Sequence, residues 1–284
     1  MTWLISFGHG YSARALAQRL VPRGWDIAGT TRNPDRAAAL RAEGVTPLPW
    51  ARDAIDAALD GATHLLISAG PTEDGDPTLA LMGDALRTRA GQFTWVGYLS
   101  TTGVYGDHGG AWVDESTPLT PGTARGERRV AAEAAWADQG LPLHIFRLAG
   151  IYGPGRGPFE KVRQGTARRI IKPGQVFSRI HVEDIAQVLD ASIARPDPGA
   201  VYNVCDDDPA PPQDVLSFAA RLLGRPEPPA VDFDTAEMSA MARSFYAESK
   251  KVSNARIKTE LGVTLRHPDY RSGLRALLAD EAAE

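Results

Sequence analysis

The start of the chain constrains its fold more than any other feature. Residues 3–7, Trp-Leu-Ile-Ser-Phe, have the composition of a short buried strand. Gly8-His9-Gly10-Tyr11-Ser12-Ala13-Arg14 follows at once and leads into the helical run Ala15 to Leu20. Gly-x-Gly-x-x-Ala between a first strand and a first helix is the dinucleotide fingerprint. Gly8 permits the tight turn, Gly10 lets the backbone approach a pyrophosphate, and Ala13 in place of a third glycine still allows close helix–strand packing. At the helix start, the backbone of Tyr11, Ser12, Ala13 and Arg14 presents free N–H groups and a positive dipole end to phosphate. The plainer reading is a βα turn that uses glycine for geometry alone; the position straight after a first strand favours the fingerprint.

Strand and helix signals alternate from there, which predicts an α/β protein with a Rossmann-like, doubly wound parallel sheet. Strands are expected at 25–31, 45–49, 64–68, 94–100 and 143–148, and helices at 35–43, 54–59, 79–89 and 127–139. Gly153-Pro154-Gly155-Arg156-Gly157-Pro158 is a breaker cluster, after which the texture changes. Residues 181–194 read as a strand end running into a helix, 200–204 as a strand returning to the main sheet, and 215–223 as a helix between proline-rich connectors. Residues 1–155 and 178–206 are thus assigned to a dinucleotide-binding domain. Residues 156–177 and 207–284 are assigned to a smaller, mainly C-terminal domain that covers the substrate.

Composition excludes several classes of function. A net charge of -4 gives no basic field for nucleic acid or an anionic membrane. No apolar run reaches the roughly 18–20 residues of a membrane helix, and no basic segment precedes the first apolar one as in a signal peptide. The single cysteine, Cys205, precludes an intramolecular disulfide and fits a reducing compartment, so a cytoplasmic location is expected. The histidines show no ligand spacing, and no metal site is expected.

The end of the second strand bears on cofactor choice. NAD sites usually place an acid there for the ribose 2′-hydroxyl. Here it reads Gly29-Thr30-Thr31-Arg32. Arg32 is suited to a 2′-phosphate, Thr31 to a hydrogen bond with it, and Arg14 stands ready to join them, so NADP(H) is favoured over NAD(H). The competing reading of Arg32 is a solvated loop arginine.

Further along come Leu99-Ser100-Thr101-Thr102-Gly103-Val104-Tyr105-Gly106, then Phe146-Arg147-Leu148-Ala149-Gly150-Ile151-Tyr152-Gly153-Pro154-Gly155, Ile180-His181-Val182-Glu183-Asp184-Ile185-Ala186 and Val201-Tyr202-Asn203-Val204. In this order these segments resemble the extended short-chain dehydrogenase/reductases of the epimerase/dehydratase branch, over nearly the whole chain. The resemblance implies that Thr101 hydrogen-bonds the reacting oxygen of the substrate. It also implies that Ser68, Ala69, Leu99, Ser100, Arg129, Leu148, Gly150 and Ile151 line the dinucleotide.

One landmark is missing. Members of that family carry Tyr-x-x-x-Lys, the tyrosine as general acid/base and the lysine to lower its pKa and hold the nicotinamide ribose. Alignment on Val130-Ala131-Ala132-Glu133 puts Arg125 at the tyrosine position and Arg129 at the lysine position. Arg129 is suited to a ribose or phosphate, but an arginine at 125 cannot shuttle protons near neutrality. The literal Tyr246-x-x-x-Lys250 lies more than a hundred residues too late and reads as a decoy. Tyr105 is the candidate substitute, against the plainer reading of a packed loop tyrosine. His181 with Asp184 is a weaker acid/base candidate. Arg156, Lys161, Arg163, Arg168 and Arg169 follow the breaker loop and suit an anionic substrate, or form a solvated helix face.

The resulting expectation is an NAD(P)-dependent oxidoreductase or epimerase on a small, sugar-nucleotide-like substrate, with a non-standard active site. The alternative is a catalytically silent NADP(H) sensor acting through a protein partner. A homodimer through helix 127–139 is the expected assembly, against the reading that its apolar face covers the sheet.

Overall fold

A computed structural model describes residues 2–282 of the chain. Seven parallel strands form the central sheet: β1 (Trp3–Phe7), β2 (Asp26–Thr31), β3 (Thr46–Pro49), β4 (His64–Ile67), β5 (Trp95–Thr101), β6 (Leu143–Leu148) and β7 (Val201–Val204). Their order is β7-β6-β5-β4-β1-β2-β3, so the order of winding reverses between β1 and β4. The crossovers carry α1 (Tyr11–Leu20), α2 (Arg36–Ala42), α3 (Arg52–Leu59), α4 (Pro77–Thr88), α5 (Ala124–Ala137) and α6 (Val182–Ala194). This is the doubly wound arrangement expected from the alternation. The segment at 201–204 does return to the sheet, pairing with β6 at its edge.

Strands buried on both faces read as continuous apolar runs. β4, His-Leu-Leu-Ile, and β6, Leu-His-Ile-Phe-Arg-Leu, are buried at every position. One core lies between the sheet and α1 and α6, the other between the sheet and α3, α4 and α5. A third cluster, around Tyr152, Phe159, Val162, Val215, Tyr270 and Leu274, packs α7 (Pro212–Leu222) and α8 (Tyr270–Glu281) beyond the carboxyl edge of the strands. Among the described residues, no helix is long and apolar enough to cross a membrane.

α5 begins at Ala124, three residues before the expected start, because the Thr123 hydroxyl accepts the Gly126 N–H (3.1 Å) and caps it. Arg125 therefore stands on the helix, one turn before Arg129.

The buried histidines set the acid stability of the fold. Burial holds the pKa values of His9, His64 and His181 down at about 4, from an ordinary 6.5. The folded protein keeps them neutral, whereas the unfolded chain protonates them below pH 6.5. Stability is therefore lost as pH falls from 6.5 towards 4. Asp206, whose pKa burial raises to about 8, works the other way. Its contribution is fully present below the ordinary carboxylate range and is lost as pH rises through 8. The three imidazoles act together, so unfolding free energy measured in urea is expected to fall as pH is lowered from 6.5 towards 5. A flat profile between pH 7 and 5 would contradict burial of these imidazoles.

Candidate functional site

The candidate site lies along the carboxyl edge of the sheet, at the reversal between β1 and β4, where open α/β sheets form their crevice. The glycine loop closes one side. Gly8 has φ +78°, and its N–H donates to the Thr30 hydroxyl (2.7 Å). A Cβ on Gly8 would meet the Ala69 backbone N at 2.7 Å, so the turn packs directly on the loop after β4. The Ser68 and Ala69 N–H groups both donate to Phe7 O, which fixes that loop. His9 points inward, its ring where a Cβ on Gly29 would be (2.7 Å), so a plain glycine on β2 makes room for it.

Gly10 caps α1 with no side-chain partner, and the first intrahelical bond is Arg14 N to Gly10 O. The N–H groups of Tyr11, Ser12 and Ala13 therefore have no acceptor within the helix. A Cβ on Gly10 would come no closer than 3.7 Å to anything but its own neighbours, so the space over these donors is open. An open cradle of unpaired N–H groups at a positive helix end fits a pyrophosphate. The residues present thus fit a dinucleotide.

At the far end of β2, the Thr31 hydroxyl accepts Asn33 N (3.1 Å) and turns the chain. Arg32 is exposed and stacks over Trp50, 4.9 Å from its ring centroid. Arg14 is less available than the sequence suggests. It forms a two-pronged pair with Glu43, at the C-terminal end of α2, through Nε (3.0 Å) and Nη2 (2.5 Å).

The other wall is β5, the turn after it, and α5. The half-buried Thr101 ends β5, and its hydroxyl accepts Gly103 N (3.2 Å). Leu99 is buried and its carbonyl accepts Arg129 Nη1 (2.5 Å), which also donates to the Tyr98 hydroxyl (3.3 Å). Ser100 turns away from the cleft and donates to Glu133. Leu148 is buried at the end of β6. Gly150 and Ile151 lead out of the sheet in a short strand paired with Arg179–His181. Tyr11, at the start of α1, reaches across to Pro154 O (3.0 Å), tying the glycine loop to the breaker loop.

Tyr105 lies beneath this floor. It has 0% exposure; its hydroxyl donates to Asn203 Oδ1 (2.7 Å) and accepts Arg147 Nη1 (3.0 Å). Arg147 in turn holds Glu133 through Nε (3.2 Å) and Nη2 (2.7 Å), both side chains being buried. Burial raises the Tyr105 pKa, against the opposing pull of Arg147. Ser100, Glu133, Arg147, Tyr105 and Asn203 thus form one buried network joining β5, α5, β6 and β7. All five lie in the separate family-like segments of the sequence, which give no sign that they touch.

Two further groups are brought together. Tyr246 and Lys250 stay apart from the glycine loop: the Lys250 ammonium donates to Gly106 O (2.6 Å) and pairs with Glu248 (2.7 Å). Ligand-capable atoms of His181, Glu183 and His267 lie within 4.8 Å of one another, which no spacing in the sequence announces. They are already knitted together. Glu183 meets His267 Nε2 (3.1 Å) and Arg266 (3.1 Å), and Asp184 accepts the Arg266 and His267 N–H groups (2.7 and 3.0 Å). The group clamps the start of α6 to the segment before α8.

The fold is that of the NAD(P)-binding epimerase/dehydratase proteins of the short-chain dehydrogenase/reductase class. It superimposes on dTDP-glucose 4,6-dehydratase from Bacillus anthracis in complex with NAD, with a TM-score of 0.82, 14% identity, and coverage of 100% of this chain and 97% of that one. It also matches human epimerase family protein SDR39U1 with NADPH, with a TM-score of 0.75, 18% identity, and coverage of 98% and 100%. No family model matches the chain. The chain is 31% identical to protein YeeZ of Escherichia coli K12 over 92% of its length and 95% of YeeZ, and it belongs to the family of YeeZ. A conserved protein from Silicibacter pomeroyi is 66% identical, with a TM-score of 0.95 and 99% of each chain covered.

Proposed function

We propose that the protein binds NADP(H) in preference to NAD(H) and acts as an oxidoreductase or epimerase on a small anionic substrate. The observation that carries this reading is the open cradle over the free N–H groups at the start of α1, on the same carboxyl edge of the sheet as Thr101. A bound nicotinamide supplies or accepts hydride. The chain's own residues bind, orient and shield: the α1 N–H groups hold phosphates, Arg129 faces the ribose side, and the Thr101 hydroxyl orients a substrate oxygen. The proton on that oxygen is exchanged with water, because Tyr105 is held in the buried network and Arg125 keeps its proton near neutrality.

Support for NADP(H) is the absence of an acid at the end of β2 and the exposed guanidinium of Arg32 there. Titration calorimetry with the four nucleotides tests it. NADPH is expected to bind more tightly than NADH, and Arg32→Ala to weaken NADPH by about 10–100-fold with little effect on NADH, as loss of a charged hydrogen bond to phosphate implies. Equal NADPH affinity in the variant would remove the specificity assignment. Binding of none of the four would remove the dinucleotide reading.

The engagement of Tyr105 favours a second reading, a dinucleotide sensor working through a protein partner. Tighter binding of one redox form, with no turnover across carbonyl and nucleotide-sugar substrates, would separate it from the first.

A further inference from the structure

This inference rests on the dinucleotide reading and concerns what the same cleft takes as substrate. Arg125 and Arg129 lie one helical turn apart on one face of α5, and Arg156 projects from the breaker loop. Arg129 is anchored to Leu99 O and the Tyr98 hydroxyl, and its Nη2 would be 3.1 Å from a Cβ on Gly70. Arg156 stands over the Tyr11 ring, 5.7 Å from its centroid, beside the glycine loop. Arg125 is exposed, with its guanidinium 5.8 Å from the centroid of the half-exposed Phe245 ring. After the partial desolvation of its position, the charges acting on Arg125 are those of Arg129 and Arg156, and all three effects hold its pKa below the ordinary value.

Several other arginines after the breaker loop find acids or carbonyls. Arg163 pairs with Glu281, Arg169 with Glu227, and Arg168 with the carbonyls of Gly165 and Ala167. These are three of the five basic residues that the sequence had pointed towards a substrate, and Arg156 is another. Among the described residues, neither Arg125 nor Arg156 has a carboxylate at ion-pair distance. Arg125 also occupies the first turn of α5, the end of a helix that disfavours a cation. Like charges gathered without counter-charge at the mouth of a concave site are complementary to an oxyanion.

The position of Arg125 narrows the assignment. It precedes Gly126, where a Cβ would meet Gly103 O at 2.9 Å, so this turn of α5 sits directly against the Thr101–Gly103 turn. We propose that Arg125 is a substrate-binding residue: with Arg156, it pairs the carboxylate or phosphate of a small substrate whose reacting carbon lies at Thr101. A guanidinium there holds an oxyanion in a planar fork, a role an ammonium fills less well.

Malonate and inorganic phosphate serve as probes, titrated into the NADP⁺-saturated protein at ionic strength held constant with chloride. Calorimetry and thermal melting give the readouts. The wild type is expected to bind at least one of them saturably. Arg125→Gln is expected to weaken that binding by about tenfold or more, and Arg125→Lys by less, while NADP⁺ affinity stays within about twofold. Equal anion affinity in wild type and Arg125→Gln, or no response of the NADP⁺-bound wild type to either anion, overturns the proposal. If NADP⁺ itself does not bind, the dinucleotide reading falls on its own. The same titration of the free protein then still decides Arg125, which survives only if the glutamine variant loses the response.

Discussion

Replacing Gly10 by aspartate is expected to leave the protein folded and to weaken NADP(H) binding by about a hundredfold or more. Gly10 has φ -104°, a conformation open to any residue, and space surrounds the position of a Cβ. An aspartate at this N-cap accepts from the free N–H groups of α1 and stabilises the helix by roughly 1 kcal/mol. It also fills the phosphate cradle with negative charge, and losing two or three charged hydrogen bonds of about 1.5–3 kcal/mol each accounts for the size of the effect. The melting temperature of the free protein should hold or rise while calorimetry shows binding lost. Gly8 offers the contrast. Its φ is +78° and an added Cβ would lie 2.7 Å from Ala69 N, so Gly8→Ala should lower the melting temperature as well. Undiminished NADPH affinity in Gly10→Asp would mean that phosphate does not sit at this helix end.

The second large effect is on stability. Glu133→Ala leaves Arg147 charged and buried, its guanidinium facing only Tyr105. Breaking a buried pair in this way costs about 3–5 kcal/mol, measurable as a shift of the urea midpoint. Replacing both partners by apolar residues, Glu133→Leu with Arg147→Met, should cost less than either single change, because no charge is then stranded. Equal losses in the single and double variants would argue that shape, not charge, dominates here. In the singles, the chain of bonds reaching Asn203 should loosen together, since its members share partners.

The sheet was legible because its signals are local. The run at 3–7, the glycines at 8 and 10 and the apolar strands at 64–67 and 143–148 declare themselves within a few residues. The site was legible only in part. Gly10 and Ala13 at the start of α1, and Thr101 at the end of β5, are placed by their immediate neighbours, whereas Arg14 is withdrawn by Glu43, 29 residues away. For Tyr105 the sequence left open both an available hydroxyl and a packed loop tyrosine, and it is Asn203, 98 residues on, that holds it in the packed state. His181 and His267 meet across 86 positions, their rings 4.0 Å apart. The capping of α5 by Thr123 left a readable signal, a threonine three residues before Gly126, and it moves Arg125 from a loop onto a helix. Pairings over such separations are fixed by how strands and helices pack, which no local spacing encodes.

The network under the cleft has a consequence for how such a protein changes. Glu133 pins α5 to β5 and β6 from below, while positions 125 and 129, two turns and one turn earlier on the same helix, face the opening. The foundation and the working face are thus separate parts of one rod. Exchange of the exposed Arg125 side chain therefore leaves untouched the bonds that seat the rod.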